Sequence, residues 1–196
     1  TGRFAETTPL ANTGGVHVGY AQTKWAAEAL ATAAREHQSI NIYQLGLLTG
    51  AHLSGLGLED AWLGRFIRGL ARFGAIPGDL DPTLSFDVTP IDYAARALSQ
   101  LILRPIKGDG ETFHLCGPRA ASLADLIKAL EKQRGPIERL ERAVFDARIQ
   151  GALAQPDGVK FAAFALGLSR AHRHRALDLF RATNATFDTR VAHQSL

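Results

Sequence analysis

Three short apolar runs constrain this chain most: INIYQLGLL over 40–48, LSFDV over 84–88 and TFHLC within 111–116. Each has the length of a buried strand, and helix-period segments lie between and around them. The first run follows an alanine-rich helix expected over about 20–37 and is closed by Thr49 and Gly50. Strands that alternate with helices predict an α/β fold built on a parallel sheet. With 196 residues and 46% hydrophobic composition the chain is long and apolar enough for a real core.

The intervening segments carry local boundary signals. Residues 1–19 read as a loop, with Pro9, Gly14, Gly15 and clustered Thr and Asn. A helix is expected over about 59–73, where Trp62, Phe66, Leu70 and Phe73 form a core-facing stripe and Gly74 ends it. Arg65, Arg68 and Arg72 fall on the opposite side. In TPIDYAARALSQLIL, Thr89 reads as N-cap, Pro90 as the first helical residue and Asp92 as the acidic third. In SLADLIKALEKQRG, Ser122 and Asp125 fill the same cap roles. Beyond PIERLER the pattern is helical to the end, and a helical substrate or lid lobe is expected mainly within 52–80 and 136–196.

Several chemistries are excluded. The single cysteine, Cys116, cannot form an internal disulfide and fits a reducing, cytoplasmic setting. No run approaches the roughly 18 to 20 apolar residues that cross a bilayer. The net charge of +3 does not require a nucleic-acid partner. The chain has no cysteine pair or HExxH for zinc, no GxSxG elbow and no GxxxxGK phosphate loop, so no metal is expected. Gly55 and Gly57 approach a dinucleotide fingerprint in spelling, but loop rather than strand precedes them.

The stretch GYAQTKWAAEAL, from Gly19 to Leu30, carries the chemistry that is left. Residues four apart share a helix face, so Tyr20 and Lys24 present a phenol and an ammonium to one place. An unperturbed phenol, with a pKa of about 10, is a poor acid near neutrality. A fixed cation one turn away favours the phenolate and makes the phenol a usable proton donor. A carbonyl that takes up a hydride needs such a donor.

YAQTK resembles the Tyr-x-x-x-Lys motif of the extended short-chain dehydrogenase/reductases. GYAQTKWAAE is similar to their thioester reductase branch, found as terminal domains of nonribosomal peptide synthetases and in carboxylic acid reductases. IYQLGLLTG, FDVTPIDYAARAL and LFRATNATFDT match further segments of that branch in order, so the similarity runs from about residue 19 to the end. The resemblance implies the carboxyl-terminal part of a Rossmann-like fold, NADPH as cofactor, and an acyl or peptidyl carrier protein bearing a phosphopantetheine thioester as partner. It makes Tyr20 the proton donor and Lys24 the residue that binds the nicotinamide ribose and tunes Tyr20. It places the backbone around Gly46, Leu47 and Leu48 at the nicotinamide end. The chain departs from the family pattern at Gln44 and Leu45, where Arg and Pro are usual.

In that family the glycine-rich cofactor loop and a catalytic Ser or Thr precede the Tyr. Thr7, Thr8 and Thr13 are weak matches to that third residue, because no strand is legible before them. With no methionine in the chain, the expectation is the carboxyl-terminal half of a reductase, inactive without its other half. Two alternatives stay open: a nucleotide-sugar epimerase or dehydratase of the same superfamily, and a carrier-binding module without catalysis. The arginines of 65–72 and of RAHRHR (170–175) read as solvated faces, with docking of an acidic carrier as the rival role. His114 reads as a hydrogen-bonded core group and Trp25 as packing.

Overall fold

The structure is a computed structural model that describes residues 2–10, 19–57, 61–81, 84–117, 120–168 and 185–196. RAHRHR and Thr13 lie outside these residues.

The expected strand over 40–48 is two strands, β2 (Ile42–Leu45) and β3 (Leu47–Thr49), separated at Gly46. They follow β1 (Gly2–Phe4) and the helix α1 (Gly19–Ala34). Next come α2 (Trp62–Phe73), β4 (Ala75–Pro77), β5 (Ser85–Pro90), α3 (Ile91–Ile102) and β6 (Thr112–Leu115). The chain continues through β7 (Ala120–Ser122), α4 (Leu123–Arg134), β8 (Glu138–Leu140), α5 (Arg142–Leu153), a 3₁₀ turn (Gly158–Phe161) and α6 (Ala162–Leu168). β9 (Ala185–Phe187) and α7 (Arg190–Ser195) close it.

The parallel pairing expected from the alternation is present. β2 pairs with β6, β3 with β5, β1 with β9 and β4 with β8, all parallel, while β7 lies antiparallel to β5. The three apolar runs therefore meet at one place. Gly46 is where the chain leaves one partner strand for another.

Gly74 ends α2 in the left-handed conformation, at φ 69°, and its N–H reaches the Leu70 carbonyl. Only residues without a Cβ adopt this geometry at little cost. Phe66 and Leu70 are fully buried, Phe73 nearly so, and Arg65, Arg68 and Arg72 are exposed. At α4 the Ser122 hydroxyl accepts from the Asp125 N–H at 3.0 Å, and the Asp125 carboxylate accepts from the Ser122 N–H at 3.2 Å. This is the reciprocal cap that the sequence announces.

Other local readings are corrected. Thr89 does not cap α3. It is the fifth residue of β5, fully buried, and its hydroxyl accepts from the Gly117 N–H at 2.7 Å. The N-cap is Pro90, which has no side-chain oxygen to offer. α1 ends at Ala34 rather than near 37, and Arg35, Glu36 and His37 form a tighter turn with i−3 carbonyls. Residues 2–4 are a strand, not loop. Its partner β9 is far away in sequence, and such pairing overrides local preference.

Among the described residues two apolar clusters form the core. The larger joins α2, β4, β5, α4, α5 and α6 around Phe66, Phe73, Phe145 and Phe164. The smaller lies between α3, β6 and α7 around Leu101, Phe113 and Leu115. The buried Glu6 carboxylate ties the second cluster together. It accepts from the backbone N–H of His114 at 2.9 Å, of Val191 at 2.6 Å and of Ala192 at 3.0 Å. A buried carboxylate needs such partners.

Candidate active site

α1 carries Tyr20 and Lys24 on one face, as their spacing requires. The Lys24 ammonium stands 5.7 Å from the centre of the Tyr20 ring. Tyr20 is 71% exposed, and α1 has no buried residue. Among the described residues Lys24 forms no ion pair and the Tyr20 hydroxyl has no hydrogen-bond partner. A phenol and a cation thus face outward together with their donors uncommitted. That fits the ribose and carbonyl end of a nicotinamide cofactor in charge and in access.

The second part of the candidate site is the expected Gly46–Leu48. It is linked to α1 by Gln44, whose side-chain amide donates to Glu28 at 2.6 Å. The departure from the family pattern at Gln44 therefore has a structural use, and Leu45 beside it is exposed. The Gly46 N–H donates to the Leu115 carbonyl at 3.1 Å. A Cβ at Gly46 would lie 2.2 Å from Asp87 Oδ2 and 2.4 Å from Thr89 Oγ1, so no other residue fits without displacing both.

Asp87 is the residue that sequence reasoning missed. Its carboxylate accepts hydrogen bonds from the Cys116 thiol, the Gly117 N–H and the Thr89 hydroxyl. Burial raises its pKa above the ordinary 3.8, and those three hydrogen bonds oppose the rise. Burial, together with the Asp87 charge beside it, pushes the Cys116 thiol up to about 12. Cys116 is therefore an inert hydrogen-bond donor near neutrality, not a nucleophile. This cluster sits directly under the switch at Gly46 and holds β3, β5 and the turn after β6 in contact.

β3 runs into a tight loop over 50–57. The Ala51 N–H donates to the Leu56 carbonyl and the Gly55 N–H to the Ala51 carbonyl, both at 2.8 Å. A Cβ at Gly50 would meet the Gly55 carbonyl at 2.3 Å. Asp92 accepts from the His52 N–H at 3.0 Å and from the Tyr93 N–H at 3.1 Å. The His52 bond is the first cause of the lowered pKa of Asp92, so this residue anchors the loop as well as starting α3. Between this loop and α2 lies a cleft of about 430 Å³.

The other expected residues fall as follows. His114 is 4% exposed, donating from Nδ1 to the Asp188 carbonyl at 2.9 Å. Trp25 is half-buried and lines a second cleft between α1 and β2 with Glu28 and Gln44. Thr7 and Thr8 follow a strand after all, but the Thr8 hydroxyl accepts from the Ala5 N–H at 2.8 Å and serves a turn.

Residues 2–98 match the family described as male sterility protein, an NAD-binding family. This part of the chain is similar to that family. The matched segment holds Tyr20, Lys24 and Gly46–Leu48, and the NAD-binding character of the family it matches supports a nicotinamide cofactor. The chain is 31% identical over 140 residues to the isonitrile lipopeptide synthase of Streptomyces coeruleorubidus, covering 70% of this chain and 9% of that protein. It is 36% identical over 94 residues to L-2-aminoadipate reductase of Saccharomyces cerevisiae, covering 47% of this chain and 6% of that protein. The terminal R domain from the myxalamid PKS-NRPS biosynthetic pathway superposes over 99% of this chain and 48% of its own length, with a TM-score of 0.76 and 22% identity. That likeness shows the fold: the chain has the α/β fold of part of that domain, as the alternation of strands and helices predicts. The chain spans about half of that solved domain and a small part of the curated relatives.

No helix among the described residues is long and apolar enough to cross a membrane. No group of three or more His, Cys, Asp or Glu among them could hold a metal ion.

Proposed function

We propose that this chain is the carboxyl-terminal half of an NADPH-dependent reductase that releases a carrier-bound acyl or peptidyl thioester as an aldehyde or alcohol. The observation that carries the reading is the exposed Tyr20–Lys24 pair on α1, inside the segment of the NAD-binding family. The identity with an aminoadipate reductase and with a lipopeptide synthase supports it.

A nicotinamide bound there would supply the hydride, and collapse of the resulting hemithioacetal would break the C–S bond and release the carrier's thiol as the aldehyde forms. Tyr20 stands ready to donate its phenolic proton to the oxygen that gains charge. Lys24 holds the ribose and stabilises the phenolate left behind. Gly46, Leu47 and Leu48 offer backbone at the nicotinamide end, kept in place by Asp87 and Thr89 beneath Gly46.

The pyrophosphate of a dinucleotide rests on a glycine-rich turn at a helix amino terminus, where backbone amides favour anions. The sequence contains no GxGxxG motif between a strand and a helix. Positioning supplies much of the rate in hydride transfer. The 196 residues by themselves are therefore expected to bind NADPH no better than millimolar and to reduce no acyl thioester. Calorimetric titration with NADPH and a turnover assay check this. Micromolar binding with turnover would show that the chain needs no other half.

The exposed Arg65, Arg68 and Arg72 of α2 form the face proposed to dock an acidic carrier protein. Such steering weakens as salt screens the charges. Reversing Arg65 and Arg72 to Glu is expected to raise KM for carrier-bound thioester severalfold at low salt, while free pantetheine thioester reacts as before. Equal kinetics on carrier-bound substrate would refute the docking role.

A further inference from the structure

We propose that the cleft between the 50–57 loop and α2 receives the apolar acyl end of the thioester, and that Ile67 sets the length of chain it accepts. This rests on the reading of the chain as part of a thioester reductase.

The cleft has the properties of a small-molecule site. Its volume of about 430 Å³ lies in the ordinary range for ligand pockets, roughly 300–1,000 Å³. Its described lining is mostly apolar, with Leu48, Leu56, Leu63, Ile67 and Ile91; Thr49 and Arg68 are its polar side chains. Such a wall favours a hydrocarbon chain over a sugar or nucleotide, whose hydroxyls would lose water without new partners.

Its position adds a second argument. Leu48 belongs both to this wall and to the strand proposed to meet the nicotinamide end. A chain lying in the cleft therefore has its reacting end beside the cofactor-facing backbone and its tail along α2. The loop side of the wall is prebuilt. Asp92 holds the His52 N–H, and Gly50 and Gly55 touch backbone to backbone. On this fixed loop Leu53 is 94% exposed and Leu56 is 76% exposed. Of the two, Leu56 lines the cleft, and a leucine held in water there gains from a ligand that covers it.

Ile67 is half-buried on α2, one turn beyond Leu63, which faces the core. A larger side chain there shortens the cleft and a smaller one lengthens it. The test uses full-length protein and non-reducible thioether analogues of acetyl- and dodecanoyl-pantetheine, titrated by calorimetry. Ile67→Trp is expected to weaken dodecanoyl binding by about tenfold or more and to leave acetyl binding unchanged. Ile67→Ala should shift the preference the other way. Leu56→Asp, at an exposed position that the fold does not need, should weaken the dodecanoyl analogue alone. Equal shifts for both analogues, or none in any variant, would overturn the proposal. Length-dependent binding in a protein that reduces no thioester would refute the reductase reading and uphold the cleft. Thioester reduction that ignores both residues would uphold the reductase reading and refute the cleft.

Discussion

Replacing Tyr20 by Phe in the full-length protein is expected to cut kcat for thioester reduction by about 10² or more, the usual cost of losing a general acid. KM should move little, because the ring and its contact with the Lys24 ammonium at 5.7 Å remain. The substitution removes one exposed hydroxyl with no partner among the described residues, so stability should not change. That separates loss of chemistry from loss of fold. Steady-state kinetics with NADPH in excess, beside a thermal melt, check it. A kcat near wild type would mean that the proton comes from elsewhere.

The candidate site is legible in the sequence where the cause of its geometry is local. Tyr20 and Lys24 are one helical turn apart, and helix geometry alone puts them on one face. Ser122 with Asp125, and Gly74 after Phe73, are likewise signals whose partners lie within four residues. The features that stay hidden share the opposite property. Thr89 looks like an N-cap, but its hydroxyl is claimed by the Gly117 N–H, across the sheet. Gly2–Phe4 becomes a strand only through β9 at the other end of the chain. Asp87 looks like any polar residue of a strand, and its bond to Cys116 has no sequence signature. The motif residues are legible; the scaffold that steadies Gly46 is not. The one hint of it is a pair of small residues, Gly46 and Gly117, each just after an apolar strand. A glycine there signals close approach of another backbone or side chain. Both do so: a Cβ at Gly117 would meet the Val88 carbonyl at 1.9 Å.

Phe164→Ala is expected to cost about 3–5 kcal/mol of stability, the range for truncating a fully buried aromatic. Phe164 is 0% exposed on α6, the seven-residue helix Ala162–Leu168. A helix this short has little stability of its own, so packing must hold it. Its ring lies 5.6 Å from those of Phe66 and Phe73 and 6.0 Å from that of Phe145, centre to centre, at tilted or edge-on angles. α2 approaches so closely that a Cβ at Gly69 would lie 2.5 Å from the Phe164 Cβ. With backbones this near, the cavity left by alanine cannot close by sliding the helices together, which puts the cost toward the upper end. A loss of this size is a large part of the roughly 5–15 kcal/mol that holds a typical domain. It also reaches the proposed acyl cleft, because α2 supplies both Gly69 toward α6 and Ile67 toward the cleft. Urea unfolding of the purified protein should show a lower midpoint with an unchanged slope. Phe164→Leu should recover much of the loss, since it refills most of the volume. A midpoint shift worth less than about 1 kcal/mol in the alanine variant would be too small for a rigid cavity. The four phenylalanines would then be free to repack, and α2 would owe its position to something other than α6.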